Sequence, residues 1–181
     1  MPGADSVDRA IAPSAIALLS CLEQRMALNP NPPEHFVVRV GSDPVAADFD
    51  EYNDYCCQGL VYVRVMRRFP SGSDFPISDE LASNCMPTGW GVDLAMGSFR
   101  CAPDEFNPEG WLETFQTVQN DQQAMADAIC CWKDQQEQEN PGNFLNWFSQ
   151  DWLPFALQGG CTGGEWRITA QFNSCEECSG D

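Results

Sequence analysis

Lysine and histidine are almost missing from this chain of 181 residues, with Lys133 and His35 the single example of each. Arginine supplies the rest of the 9 basic residues, against 27 acidic ones, for a formal charge of −18. A protein that grips nucleic acid needs a basic face to neutralise phosphates, and so few scattered cations cannot build a large one. With one histidine beside a proline run, no Ser/His/Asp or Cys/His constellation can be assembled. His35 therefore reads as a structural or exposed group, and the expectation is a protein without enzymatic activity. The chain also lacks an apolar run near the ~20 residues of a membrane span. Its first ten residues carry Asp5, Asp8 and Arg9 rather than a basic stretch followed by an apolar one, so a secretory leader is not expected.

What remains is enough to fold. Apolar residues make up 43% of the chain and charged ones 20%, which excludes global disorder. The length suits one domain spanning residues 1–181. Acids at this excess favour solubility, and their influence on partners depends on where they cluster.

The 10 cysteines raise the question of redox compartment. A chain long enough to bury a core without staples, and with no export signal, is expected to fold in a cytosol and keep most of them as thiols. Cys21, Cys85 and Cys101 lie in apolar or turn contexts. Cys56-Cys57 and Cys130-Cys131 are adjacent pairs whose members point in different directions. Cys175 and Cys178 form the one pair with metal-ligand spacing and are weak zinc candidates. A structural zinc site needs four ligands, and Cys161 or a vicinal pair would have to complete the set. No metal or other cofactor is expected.

Along the chain, Ala15, Leu18, Leu19, Leu22 and Met26 recur at helical spacing, and Pro30, Pro32 and Pro33 end that helix. Residues 35–40 predict a strand. Residues 43–54 gather Asp43, Asp48, Asp50, Glu51 and Asp54, which read as a calcium loop or as a solvated one. Without the glycine and bidentate glutamate at EF-hand offsets, the solvated loop is expected. Residues 59–69 form the strongest strand, with Val61, Val63 and Val65 on one face and Leu60, Tyr62, Arg64 and Met66 on the other. A short helical piece fits 78–83, a strand fits 90–100, and a long amphipathic helix fits 109–138, with Trp111, Leu112, Phe115, Val118, Met125, Ile129 and Trp132 facing a core. The aromatic segment 144–155 reads as a loop or short helix capping that core. Four glycines at 159, 160, 163 and 164 lack the GK[ST] and the following helix of a phosphate loop, so they read as a turn entering a last strand at 166–172.

The order helix, strand, strand, strand, helix, strand implies an α+β fold: a mostly antiparallel four-stranded sheet with helices packed on one face. Its other face would stay open as an interaction surface, shared by Arg39, Tyr62, Arg64 and Arg167. Arg64, Arg67 and Arg68 gather three cations within five positions, which suggests a contact with an acidic neighbouring subunit, with phosphate, or with the molecule's own acids.

This order over nearly the whole chain, the leucines of the first helix, Cys56-Cys57-x-Gly-Leu-Val-Tyr-Val-Arg-Val and the glycine stretch 159–166 resemble the tail terminators of long-tailed, siphovirus-type bacteriophages, especially those of actinobacteria. The resemblance implies a virion structural protein, assembled in the host cytoplasm and located at the head-proximal end of the tail. Such proteins form a hexameric homo-oligomeric ring that caps the tail tube, ends its polymerisation and joins it to the head connector, while double-stranded DNA passes through. Arg39, Tyr62, Arg64, Arg67, Arg68 and Arg167 would then serve subunit contacts, and an acidic wall would let DNA slide. Another connector component, a stopper or adaptor, and a zinc- or disulfide-stabilised binding module are the alternatives. The cysteines, the acidic loop and the cysteine-bearing tail at 173–181 depart from the family pattern.

Overall fold

One apolar seam between two helices and a sheet organises the chain. The computed structural model describes residues 8–41, 53–77, 89–104, 106–139, 141–157 and 160–173. They run α1 (Asp8–Met26), β1 (His35–Val40), α2 (Asn53–Gln58), β2 (Leu60–Ser71), β3 (Gly89–Cys101), α3 (Pro108–Glu139), β4 (Phe144–Pro154) and β5 (Cys161–Asn173). The helical piece expected at 78–83, the acidic loop up to residue 52, Cys85, Cys175 and Cys178 lie outside the described residues.

The architecture is α+β, with a mixed five-stranded sheet in the order β1-β2-β3-β5-β4. Helix α1 buries Ala15, Leu18, Cys21, Leu22 and Met26 at three- and four-residue spacing, and α3 does the same with Val118, Met125, Ile129 and Trp132. Between them and the sheet lie Val61 and Val63 of β2, Val92, Leu94 and Met96 of β3, and Ile168, Ala170 and Phe172 of β5. Trp132 satisfies its buried indole by donating Nε1–H to the Ser14 carbonyl at 3.0 Å, so even the largest core side chain leaves no polar atom stranded. The first turns of α3 behave differently, because Leu112 and Phe115 are exposed.

Two expectations about the sheet are corrected. It has five strands rather than four, since the aromatic segment is strand β4 and not a loop or short helix. Register shifts between Phe144 and Asn146 and between Ser149 and Trp152 break the period of two. Phe144, Trp147 and Trp152, all packed against the helical core, therefore recur at spacings that hide a strand. The sheet is also mixed, because β1 pairs with β2 in parallel, from His35 against Leu60 to Val40 against Val65. The connection between them contains α2, which returns the chain to the end where β1 began, whereas an antiparallel pair would need only a short turn.

The glycine stretch is a turn only at Gly160, which precedes β5, while Gly159 lies outside the described residues; the expectation is corrected for the other two glycines. Gly163 and Gly164 lie inside β5, where a Cβ on Gly164 would collide with the Trp152 indole and one on Gly163 with the Ser98 carbonyl. Glycine is required there by close approach of neighbouring strands.

The cysteines also differ from expectation. Cys21–Cys131, Cys56–Cys161 and Cys57–Cys101 are disulfides with sequence separations of 110, 105 and 44, and Cys130 is a free, exposed thiol. The divergence of each adjacent pair is used. Cys131 reaches α1 while Cys130 faces solvent, and Cys56 and Cys57 reach two neighbouring strands. The bond joining α1 to α3 clamps the two helices that form the outer layer. Cys21→Ala combined with Cys131→Ala should lower unfolding stability by about 2–4 kcal/mol, read as a fall in the urea midpoint of the oxidised protein with little change in native circular dichroism.

Candidate functional site

The face of the sheet opposite α1 and α3 gathers the polar side chains singled out in the sequence. In register, Tyr62 lies beside Gly97 and Arg64 beside Ala95 on β3. Those two in turn lie beside Glu165 and Arg167 on β5. Strand β3 thus separates the β2 side chains from the β5 ones, and its small residues make a trench across which large groups can lie. A Cβ on Gly97 would meet the Tyr62 ring and hydroxyl, and one on Gly91 would meet the Phe69 ring.

Across that trench Tyr62 Oη donates to Glu165 Oε2 at 2.7 Å. Arg64 Nη2 donates to Glu165 Oε1 at 2.8 Å and lies 2.6 Å from Oε2. Arg167 Nε, two residues along β5, donates to Oε1 at 3.0 Å. The side chains of Arg64 and Glu165 are each 2% exposed, so an ion pair sits where removal from water is costly. Burial pushes the Glu165 carboxyl up, but the hydrogen bonds from Arg64, Tyr62 and Arg167 outweigh it and hold the group below the usual carboxylate range. Burial, reinforced by the Glu165 charge and hydrogen bond, drives the Tyr62 phenol far above its ordinary value. Glu165 therefore stays a clamped anion and Tyr62 a permanent donor, an arrangement that ties β2 to β5 across β3.

The expectation of an open face is corrected at this point: Tyr62 and Arg64 are buried, as are Thr169 and Gln171 further along. At one end α2 lies over it, with Cys56, Leu60, Tyr62, Phe99 and Cys161 forming a second apolar cluster. Phe155 stacks on Phe99 with centroids 4.8 Å apart. His35, beside α2, shares a 2.6 Å hydrogen bond between Nε2 and Gln58 Oε1.

The remaining expected residues lie toward the β1–β2 side. Arg39 is the register partner of Arg64 and is half-buried. A register shift between Val65 and Arg67 resets the alternation, so that Arg67 joins the polar face and Arg68 turns to the helical side. Arg67 Nε donates to Asp93 Oδ2 at 2.8 Å, and the Arg68 guanidinium lies 3.6 Å from the Trp90 ring centroid. The three neighbouring arginines are thus split among three partners and do not form one cluster. Of the expected set, Tyr62, Arg64 and Arg167 come together on Glu165, Arg39 lies beside Arg64 in register, and Arg67 and Arg68 engage Asp93 and Trp90 instead.

Sequence reading missed Glu165, the carboxylate on which the group converges. It also missed the second buried pair, in which Arg100 Nε and Nη2 donate to Asp121 Oδ2 and Oδ1 at 2.7 Å each. Asn29 adds a 3.0 Å bond to the same Asp121. A signal for it exists: Asp121 falls on the apolar stripe of α3, where an acid needs a partner. Among the described residues no group of three or more His, Cys, Asp or Glu side chains is placed to hold a metal ion in the disulfide-bonded chain, and no helix is long and apolar enough to cross a membrane. No protein-family model matches the chain, and no curated protein matches it significantly.

Glu165→Gln leaves the buried Arg64 charge without its counterion and should cost about 3–5 kcal/mol near neutral pH. A depressed folded pKa gives stability that is full above the unfolded value of about 4.3 and is lost as pH falls through the folded value. The acid limb of the urea midpoint against pH should consequently be shallower in the variant. Gly97→Ala, which displaces Tyr62 from the trench, should cost about 1–3 kcal/mol by overpacking, measured in the same titration.

Proposed function

We propose that the chain is a ring-forming virion subunit of the tail-terminator kind. Copies would join head to tail in a hexameric ring that caps a tail tube, ends its polymerisation and meets the head connector at the head-proximal end of the tail. The observation that carries this reading is the difference between the two edges of the sheet. At one edge β1 exposes Val38 and Val40, beside an apolar groove of about 360 Å³ between α1 and the strands that also includes Ile16 and Val65. At the other edge β4 exposes Leu145, Phe148 and Leu153.

The edges also differ in charge and direction. Arg39, Arg67 and Arg68 lie toward β1, while the β4 strand carries exposed Asp151 and the exposed end of α3 carries Asp134, Glu137 and Glu139. The pairing pattern makes β1 and β4 run in opposite directions. Rotating one copy to sit beside another would therefore set β4 antiparallel to the next β1, acid near arginine, and the two unlike patches generate a heterologous contact that closes on itself. The acid excess supports a lumen that lets double-stranded DNA pass without the friction of many phosphate contacts.

A second reading, a disulfide-stabilised binding module, draws support from the three disulfides, since bonds of this kind persist in oxidising surroundings. Native mass spectrometry separates the two. The ring reading expects a closed oligomer that caps purified tail tubes in negative-stain images. Val40→Asp and Leu153→Asp should each convert it to monomers while changing folding stability by no more than about 0.5 kcal/mol. A wild-type protein that stays monomeric and never caps a tube would overturn the ring and leave the module.

A further inference from the structure

We propose that Cys56, Cys57, Cys101 and Cys161 form a single four-sulfur centre that binds one zinc ion as a tetrathiolate when its two disulfides are reduced. The proposal does not depend on the ring reading. Sequence spacing directs attention to Cys175 and Cys178, but the fold builds its four-cysteine locus elsewhere. Cys101 and Cys161 are register partners on adjacent antiparallel strands and so project from the same face, with Cα atoms roughly 4.5–5.5 Å apart. Cys56 and Cys57 are chain neighbours, about 3.8 Å apart, and lie over that face on α2. The bonded pairs complete the figure, with Cα separations of 6.0 Å for Cys56–Cys161 and 4.2 Å for Cys57–Cys101. Four sulfurs therefore converge between one helix and two strands, and in the oxidised chain they are bonded to one another rather than available to a metal.

The number and type of ligands suit zinc, which takes four thiolates in a closed tetrahedral structural site. The locus also has an entry path. Cys56 and Cys161 are each 1% exposed, but Cys57 and Cys101 are exposed and line a cleft of about 610 Å³ shared with Gln58, Arg100 and Thr117. The Arg100 guanidinium also lines that cleft, with its charge already matched by Asp121. The Cys21–Cys131 bond joins the two helices and takes no part.

The chemistry balances with a phosphine reductant. Phosphorus bonds one sulfur as the S–S bond breaks. Water then frees that sulfur as a second thiol while the phosphine becomes its oxide. Two phosphines and two waters convert the two disulfides to four thiols, and one Zn²⁺ then displaces four protons. In a thiol-rich cell the centre would hold α2 to the sheet through metal, and in oxidising surroundings through disulfides.

The test adds Co²⁺ as a spectroscopic probe to the full chain after anaerobic reduction with a phosphine. The expected result is one ion per chain with the charge-transfer and tetrahedral d–d bands of four sulfur ligands, displaced by Zn²⁺, with native circular dichroism retained. The unreduced protein should give no such bands. Cys57→His, which keeps a ligand, should shift the spectrum to that of three sulfurs and one nitrogen, and Cys161→Ser should abolish tight binding. Cys130→Ser, and Cys175→Ser with Cys178→Ser, should leave the spectrum unchanged. Loss of the bands in the Cys175/Cys178 variant, absence of a four-sulfur spectrum in the reduced wild type, or uptake without native circular dichroism would each overturn the proposal.

Discussion

The carboxylate of Glu165 holds the polar face of the sheet together. It is taken out of water on β5, and its charge is tolerable only because donors from β2 reach it across the intervening strand. That reach exists because β3 offers Gly97 and Ala95 where Tyr62 and Arg64 must pass. Glycine normally weakens a strand interior; here its absent side chain is the space that the cross-links occupy. The residue choices on three strands are thus mutually dependent, and a change at any of them leaves a buried charge or donor without its partner.

Much of the framework was legible in the sequence. The helical periodicity of Leu18, Leu22 and Met26, and of Val118, Met125 and Trp132, is the periodicity that the seam buries, and alternation located β1, β2, β3 and most of β5. Segments with bulges were not legible in the same way. In β4 two shifts of register disguise a strand, and near Met66 another shift puts Arg67 rather than Arg68 on the face of Arg64, so that three nearby cations look like a cluster and are not one. The parallel pairing of β1 depends on how a connection of some length turns, which local pattern does not encode.

The polar site was half legible for a related reason. Tyr62, Arg64 and Arg167 stand out by type on a strand face, but the carboxylate they share is two strands and about a hundred residues away from Tyr62 and Arg64, and only two residues along the strand from Arg167. The cysteines show the same limit. Adjacent cysteines point apart, which argues against one shared core contact, yet in α2 the divergence matches the spacing of two neighbouring strands. Only the register of Cys101 against Cys161 reveals that match.

Strand order has a consequence for the sequence of events during synthesis. The last described strand, β5, is placed inside the sheet, between β3 and β4, so a chain emerging from the ribosome exposes one side of β3 until β5 itself has been made. Through that interval Tyr62 and Arg64 lack the carboxylate that will receive them, and the sheet cannot close around its inner ladder. Docking of the β4–β5 hairpin is then the late, long-range step, with the high contact order that slows folding. Until it occurs the nascent chain carries an unpaired β3 edge, the kind of edge that invites pairing with another chain.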